Sequence, residues 1–158
     1  TIVTAEKDDH SHVGLTVSSF NSVSLEPPLI VWSLSRSYSS LAAIEHCERY
    51  VIHVLGSDQM ALASHFARGT AKERFSNIAM TKAPNGAPKL DLPCAAWFEC
   101  FNRSRYDEGD HIIFIGQVEH CGLSDSLLPA DWQCKDGKSW LSKQQKTSAR
   151  APARATRK

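Results

Sequence analysis

Two clusters of hydroxyl and amide side chains could act together on one ligand in this 158-residue chain. The first cluster reads SSFNSVS over residues 18–24, and the second reads SLSRSYSS over residues 33–40. Hydroxyls, the Asn21 amide and nearby backbone N–H groups can make many hydrogen bonds to one planar, anionic ligand. Ser and Asn are also common turn formers, so composition alone favours two polar turns over a ligand site.

Apolar segments precede both clusters and must position them. The segment VGLTV at residues 13–17 alternates in the way that is typical of a strand buried on one face. Leu29–Trp32 is a continuous apolar strand that follows a Pro27-Pro28 break. We expect each strand to end in a polar loop, so that the two loops offer their hydroxyls to the same ligand.

The composition limits the class of protein. A length of 158 residues suits one domain, and the 42% apolar and 22% charged shares are ordinary for a soluble protein. No apolar run approaches the ~18–20 residues of a membrane helix, and no signal peptide is visible, so we expect a cytoplasmic protein without a membrane partner. The first residues, TIVTA, read as a strand whose beginning is missing.

The charge is unevenly distributed. Residues 143–158 carry six Lys or Arg and no acid, which leaves 18 − 6 = 12 basic and 17 acidic side chains in the remaining residues. Such a tail could bind nucleic acid weakly, but its low apolar content favours a solvated, disordered end, so we expect no nucleic-acid partner. We also expect no metal, because the five cysteines form no CxxC pair, and we expect them to be reduced and mostly buried.

The pattern of elements favours a mainly β fold. About six strands with short helices between them predict a barrel or a sandwich, and the turn between the last two strands is expected at Arg103–Gly109. No GxGxxG or GxxxxGK[ST] motif is present, which argues against Rossmann and P-loop sites. Trp32, Trp97 and Phe98 offer more aromatic surface than a small barrel easily buries, which favours a homodimer.

An ordered series of segments resembles the short-chain flavin reductase family, the reductase partners of two-component flavin monooxygenases. The resemblance includes the residue 14–40 segment, VIHVLGSDQMALASHFA at 51–67, RF at 74–75, GAPKL at 86–90, AAWFEC at 95–100 and GDHIIFIGQVEHC at 109–121. It implies a Greek-key split β-barrel over residues 1–125, with FMN or FAD bound at a homodimer interface. Residues 126–158 form a divergent, basic and partly disordered segment under the same interpretation.

The resemblance also implies roles for individual residues. It assigns flavin binding to Thr16, Ser18, Ser19, Phe20, Asn21, Ser22, Val23, Ser33, Leu34, Ser35, Ser39, Ser40, Phe66, Arg68 and Phe75. Within the GDH motif it assigns Asp110 and His111 to the NADH or NADPH site, with His111 as the catalytic residue on the nicotinamide side. Arg68 could pair with the flavin phosphate or could satisfy the last carbonyls of a helix, and these alternatives remain open. Ser39 or Ser40 is also a plausible N-cap.

Three departures from the family pattern matter. The stretch before TIVTA, which in the family is usually a helix and the start of the first strand, is missing. His53 stands where the family commonly has Asn, and residues 122–158 do not resemble the closing segment of the family. From the resemblance, the first hypothesis is an NAD(P)H:flavin oxidoreductase that supplies reduced FMN or FAD to a partner monooxygenase. The alternative is a flavin-binding split barrel with little or no reductase activity, because its end is altered.

Overall fold

A computed structural model describes residues 1–124, together with the backbones of residues 132–135 and 139–142. The helices of this part are α1 (Leu41–His46), α2 (Met60–Phe66) and α3 (Ala71–Arg74). The strands are β1 (Ile2–Glu6), β2 (His12–Thr16), β3 (Asn21–Leu25), β4 (Pro28–Ser35), β5 (Arg49–Val54), β6 (Met80–Lys82), β7 (Pro88–Leu90), β8 (Ala96–Glu108), β9 (His111–Leu123), β10 (Trp132–Lys135) and β11 (Ser139–Ser142). The predicted divergent segment, residues 126–158, lies outside the described residues except for β10 and β11.

Seven strands form one antiparallel sheet in the order β2-β1-β5-β8-β9-β4-β3, and β6-β7 and β10-β11 are separate hairpins. Strands β2 and β4 lie towards opposite edges of the sheet, yet their buried side chains share one core with those of β1, β5, β8 and β9. The sheet is therefore curled around this core as a barrel. The prediction of a mainly β fold with short helices is confirmed.

Alternation along β4 and β9 separates an inner from an outer face. Ile30, Trp32 and Leu34 are buried, whereas the residues between them are half-exposed. Trp32 lies opposite Phe114 of β9, and the two rings stack with their centroids 4.5 Å apart. Because successive side chains of a strand point to opposite faces, the intervening residues form one continuous outer face.

The aromatic residues that suggested a dimer are largely covered within one chain. Trp32 and Phe98 are buried in the core. The Trp97 ring lies on Gly122, where a Cβ atom would be 2.1 Å from the ring, and Lys89 Nζ lies 3.6 Å from the ring centroid. Trp32 and Phe98 therefore need no second copy to be buried, and Trp97 is packed on one side but only half-buried. These rings do not decide for or against a homodimer, which stays a prediction.

Two predicted loops are partly strands. Residues 21–25 of the first hydroxyl cluster form β3, because they pair with β4 through Asn21 opposite Val31, with a bulge between Ser22 and Ser24. Strand β8 continues to Glu108, which lies opposite His111, so the turn is confined to Gly109-Asp110. Pairing with a neighbouring strand overrides the weak strand propensity of these polar residues.

His53 is a buried polar residue that joins three strands. Its Nε2 accepts a hydrogen bond from the Leu90 N–H at 3.1 Å, so Nδ1 carries the proton and donates to the Ile2 carbonyl at 3.2 Å. Burial lowers the pKa of His53 to about 4, and the neutral ring therefore fixes β5 against β1 and β7.

The described cysteines differ in state. Cys47, Cys94 and Cys100 are buried free thiols, and burial raises the pKa of each. Cys121 is disulfide-bonded, so the expectation of reduced cysteines is wrong at this position. No helix in the described part of the chain is long and apolar enough to span a membrane.

Candidate functional site

The two hydroxyl clusters lie side by side. The Ser19 hydroxyl accepts a hydrogen bond from the Ser33 N–H at 2.8 Å and donates to the Ser33 carbonyl at 3.1 Å. Thr16, at the end of β2, donates from its hydroxyl to the Ala63 carbonyl of α2 at 2.7 Å. Ser19 and Thr16 therefore hold backbone segments together, and their hydroxyls are already engaged.

Other polar groups of the clusters remain available to a ligand. The hydroxyls of Ser18, Ser39 and Ser40 make no hydrogen bond with any residue that the structure describes. The side-chain Oδ1 of Asn21 accepts from the Ser22 N–H at 2.8 Å, which leaves the Nδ2 N–H groups of Asn21 unpaired among the described residues. Ser40 precedes α1 without capping it, so the predicted side-chain cap is absent at this helix. The Ser35 hydroxyl lies 2.8 Å from that of Ser37.

The apolar members of the predicted site occupy different environments. Phe20 is half-buried, with its ring centroid 5.6 Å from that of Phe98, and Val23 is 53% exposed beside the bulge of β3. Leu34 points into the core, so its backbone, not its side chain, borders the second cluster.

Phe66 and Phe75 form the wall behind β2. Their rings meet edge to face at 5.4 Å, and Phe66 is fully buried. A Cβ atom on Gly14 would lie 2.6 Å from Phe75 Cζ and 2.8 Å from Phe66 Cε1. Only glycine allows this close approach of the rings to the strand. The two phenylalanines therefore shape the backbone that leads into the first cluster.

Arg74 is a residue of this region that the sequence interpretation missed. Its side chain is buried and donates at 2.9 Å to each of three carbonyls, those of Gly14, Arg68 and Gly69. Its guanidinium also lies 5.3 Å from the centroid of the Tyr38 ring. Arg74 thus joins β2, the turn between α2 and α3, and the second hydroxyl cluster. The capping box of Thr70 and Glu73 marks the start of α3 in the sequence and could have indicated which residues of this helix turn inward.

Arg68 lines a cavity of about 500 Å³. The cavity is lined by Ala61, Ser64, His65, Arg68, Gly69, Glu73, Arg74 and Ser76. The Arg68 guanidinium makes no hydrogen bond or ion pair with any described residue, whereas the Arg74 guanidinium takes the carbonyls at this helix end. The Arg68 side chain is therefore exposed and available to an anion.

The GDH motif lies directly beside the second cluster. His111, the first residue of β9, is opposite Ser35, the last residue of β4. Asp110 Oδ1 lies 2.8 Å from His111 Nδ1, and this hydrogen bond lowers the pKa of the Asp110 carboxyl. An ionised carboxylate only accepts hydrogen bonds, so Nδ1 carries the proton and the Nε2 of a neutral His111 is an acceptor. The structure therefore brings His111 and both clusters to one end of the barrel.

Metal ligation is a separate question. In residues 1–124 and the two additional strands, no group of three or more His, Cys, Asp or Glu side chains is arranged to hold a metal ion.

The sequence of this chain matches a family profile and several known proteins. The profile of the flavin reductase like domain matches residues 1–136. The stachydrine N-demethylase reductase subunit Stc3 of Rhizobium meliloti is 38% identical over 121 residues, covering 75% of this chain and 50% of that protein. The FMN reductase (NADH) SmoA of Agrobacterium fabrum is 37% identical over 118 residues, covering 75% of this chain and 66% of that protein.

A solved structure has a similar fold. The styrene monooxygenase flavin reductase of Pseudomonas putida matches with a TM-score of 0.67 and 31% identity, covering 78% of each chain. The chain spans about half the length of Stc3, the first of these relatives. The match of the profile over most of the sequence, together with these relatives, shows that the chain belongs to the flavin reductase like domain family.

Proposed function

We propose that this protein is an NAD(P)H:flavin oxidoreductase that supplies reduced FMN or FAD to a partner monooxygenase. The observation that carries the proposal is the position of Ser35 opposite His111, which places the proposed flavin and nicotinamide residues side by side. The names of the relatives support the same chemistry, since SmoA is an FMN reductase (NADH) and Stc3 is a reductase subunit. None of these findings supports the alternative of a split barrel without reductase activity.

The residues fit a flavin. Neither residues 16–23 nor residues 33–40 contain an acid that would repel its phosphate. The unpaired hydroxyls of Ser18, Ser39 and Ser40 and the side-chain amide of Asn21 offer hydrogen bonds to such a ligand.

Within this proposal the residues of the site divide into two groups. The first group would make hydrogen bonds directly to the flavin, and it consists of the exposed polar groups of the first cluster together with Ser33, Ser35, Ser39 and Ser40. The exposed guanidinium of Arg68 would bind the flavin phosphate. Thr16, Ser19, Leu34, Phe66 and Phe75 hold or shape the backbone. When bound, the flavin accepts a hydride from NAD(P)H, which leaves as NAD(P)⁺, and takes up a proton from water.

His111 and Asp110 would orient the dinucleotide. With Nδ1 committed to Asp110, a neutral His111 presents Nε2 as an acceptor, which suits the amide N–H of a nicotinamide. Only a protonated His111 would donate from Nε2.

We also propose a homodimer through the outer face of β4 and β9. Val31 lies opposite Ile115, and Ile113 lies opposite Tyr106 of β8, which is 54% exposed. These side chains share the outer face with Ser33, Ser35 and His111, because alternate residues of a strand point to the same side. A second copy seated on this apolar surface would therefore adjoin the proposed flavin site.

The decisive experiment for the function uses purified protein, FMN and NADH under anaerobic conditions. We expect NADH and oxidised FMN to be consumed in equal molar amounts, so that both absorbances fall together. FAD is tested in parallel. Protein that binds flavin without consuming NADH would contradict the reductase proposal. Light scattering tests the dimer separately, with Ile115→Lys expected to give monomer and Met60→Lys, at an exposed position of α2, serving as a matched control.

A further inference from the structure

Arg36 connects the second hydroxyl cluster with the GDH turn. Its backbone N–H donates to the Asp110 carbonyl at 2.9 Å. Its side chain donates from Nε to the Gly109 carbonyl at 3.1 Å and from Nη2 to the Asp107 carboxylate. One residue of the segment after β4 therefore binds three positions in and before the turn that leads to His111.

The two residues of the turn have few contacts beyond the β8–β9 and β4–β9 ladders, which end at Glu108, Ser35 and His111. Gly109 has a φ of +59°, and a Cβ atom placed on it would meet nothing within 4 Å. The side chains of Asp107 and Asp110 are 74% and 90% exposed. Exposed turns with few packing contacts open at low free-energy cost. The contacts of Arg36 are therefore well placed to decide how firmly the turn is held.

The chemistry of the side chain suits this task. A guanidinium offers several N–H donors in a fixed plane, so Arg36 can serve a carbonyl and a carboxylate at once. A lysine ammonium is a single point of contact at the end of a flexible chain. An exposed ion pair on its own contributes little to stability, which points to geometry as the main effect of Arg36.

We propose that Arg36 is a positioning residue that holds the Asp110–His111 pair against the Ser33–Ser35 end of β4. This inference rests on the proposed function of His111 at the nicotinamide. Arg36 does not touch the reacting atoms under this proposal. It fixes the distance between the residues assigned to the flavin and the residue assigned to the dinucleotide.

The experiment compares Arg36→Gln, Arg36→Lys and Asp107→Ala with the parent protein. Arg49→Gln is the matched control, because Arg49 is also a partly exposed arginine paired with carboxylates, those of Glu48 and Glu119, and lies on β5. Hydrogen–deuterium exchange over residues 107–112 reports the turn without any ligand. Flavin affinity, KM for NADH and kcat are then measured for each variant.

We expect Arg36→Gln to speed exchange in the turn and to raise KM for NADH about fivefold, with kcat and flavin affinity within about twofold of the parent values. Arg36→Lys should recover part of the loss, Asp107→Ala should show a smaller loss, and Arg49→Gln should match the parent. A raised KM for NADH with an unchanged flavin affinity indicates a loss of positioning. A general loosening of the fold would weaken both.

Two results would overturn the inference. Unchanged exchange in the turn of Arg36→Gln would show that Arg36 does not hold it, whether or not the protein is a reductase. Faster exchange with an unchanged KM, or with an equal loss of flavin affinity, would show that the turn does not position the dinucleotide selectively. A parent protein that does not oxidise NADH would instead contradict the proposed function, and the exchange data would still decide whether Arg36 holds the turn.

Discussion

Ser35 and His111 are register partners at the ends of β4 and β9, and both lie on the outer face of the barrel. Val31 and Ile115 are partners further along the same two strands. One face therefore carries hydroxyls and an imidazole at one end and branched apolar side chains next to them. A planar ligand at the polar end would lie beside the apolar surface that the second copy covers in the proposed dimer. The proposed site of hydride transfer would therefore adjoin the proposed dimer interface.

The hydroxyls after β4 are expected to contribute to flavin affinity. Replacing Ser39 and Ser40 together by alanine should weaken FMN binding about 10-fold or more, since hydrogen bonds to a charged phosphate contribute about 1.5–3 kcal/mol each. The melting temperature without flavin should stay unchanged, because neither hydroxyl bonds to a described residue. Quenching of flavin fluorescence measures the affinity, and Ser57→Ala, an exposed serine in another loop, is the control. Equal affinity in the double variant and the control would remove these serines from the site.

His111 is expected to act on the dinucleotide and not on the flavin. His111→Ala should lower kcat/KM for NADH by the equivalent of about 1–3 kcal/mol, since one contact is lost and the flavin retains the redox chemistry. Flavin affinity should remain within about twofold of the parent value. Steady-state kinetics with His120→Ala, which replaces an exposed histidine at the far end of β9, provides the comparison. A parent-like kcat/KM in His111→Ala would contradict the assignment.

Much of this arrangement could be predicted from the sequence. The apolar segment Leu29–Trp32 predicts a strand, and the GDH motif marks the turn before β9. The two faces of β4 were not predictable, because Leu29 and Val31 are as apolar as Ile30. The pairing of β3 was not predictable, because Ser and Asn have weak strand propensity and the strand depends on β4 for its hydrogen bonds. Arg36 and Arg74 were missed for a related reason. Arg36 meets Asp107 across 71 positions and Arg74 meets Gly14 across 60, and local patterns carry no information on such contacts.

Arg74 is expected to be important for stability. Arg74→Met should lower the free energy of unfolding by about 1–3 kcal/mol, because the buried Gly14 carbonyl loses its donor. The part-buried carbonyls of Arg68 and Gly69 also lose theirs, but water can reach them. Arg74→Lys should be intermediate, since an ammonium keeps the charge but cannot reach all three oxygens. Urea denaturation measures the difference, and the exposed Lys72→Met controls for the introduced side chain. A loss below about 1 kcal/mol would show that water or another donor replaces the guanidinium.

The stability of the fold is expected to fall in mild acid because of His53. The pKa of this buried imidazole is lowered from 6.5 to about 4, and the nearby Lys89 ammonium adds to the effect of burial. Below pH 6.5 the unfolded chain therefore binds a proton that the folded chain does not, and stability decreases as the pH falls from about 6.5 to about 4. The full contribution is about 3 kcal/mol, of which about 2 kcal/mol is lost between about pH 7 and pH 5.

The variant that isolates this effect is His53→Asn. An asparagine can accept from the Leu90 N–H and donate to the Ile2 carbonyl, as His53 does, but it does not titrate. Urea unfolding at pH 7 and pH 5 should show a loss of stability in the parent protein that is about 2 kcal/mol greater than the loss in His53→Asn. His46→Asn, which replaces an exposed histidine, controls for the substitution itself. Equal losses in the parent and in His53→Asn would mean that the buried ring is not the group responsible, and the acid sensitivity would then have to be sought in the carboxylates.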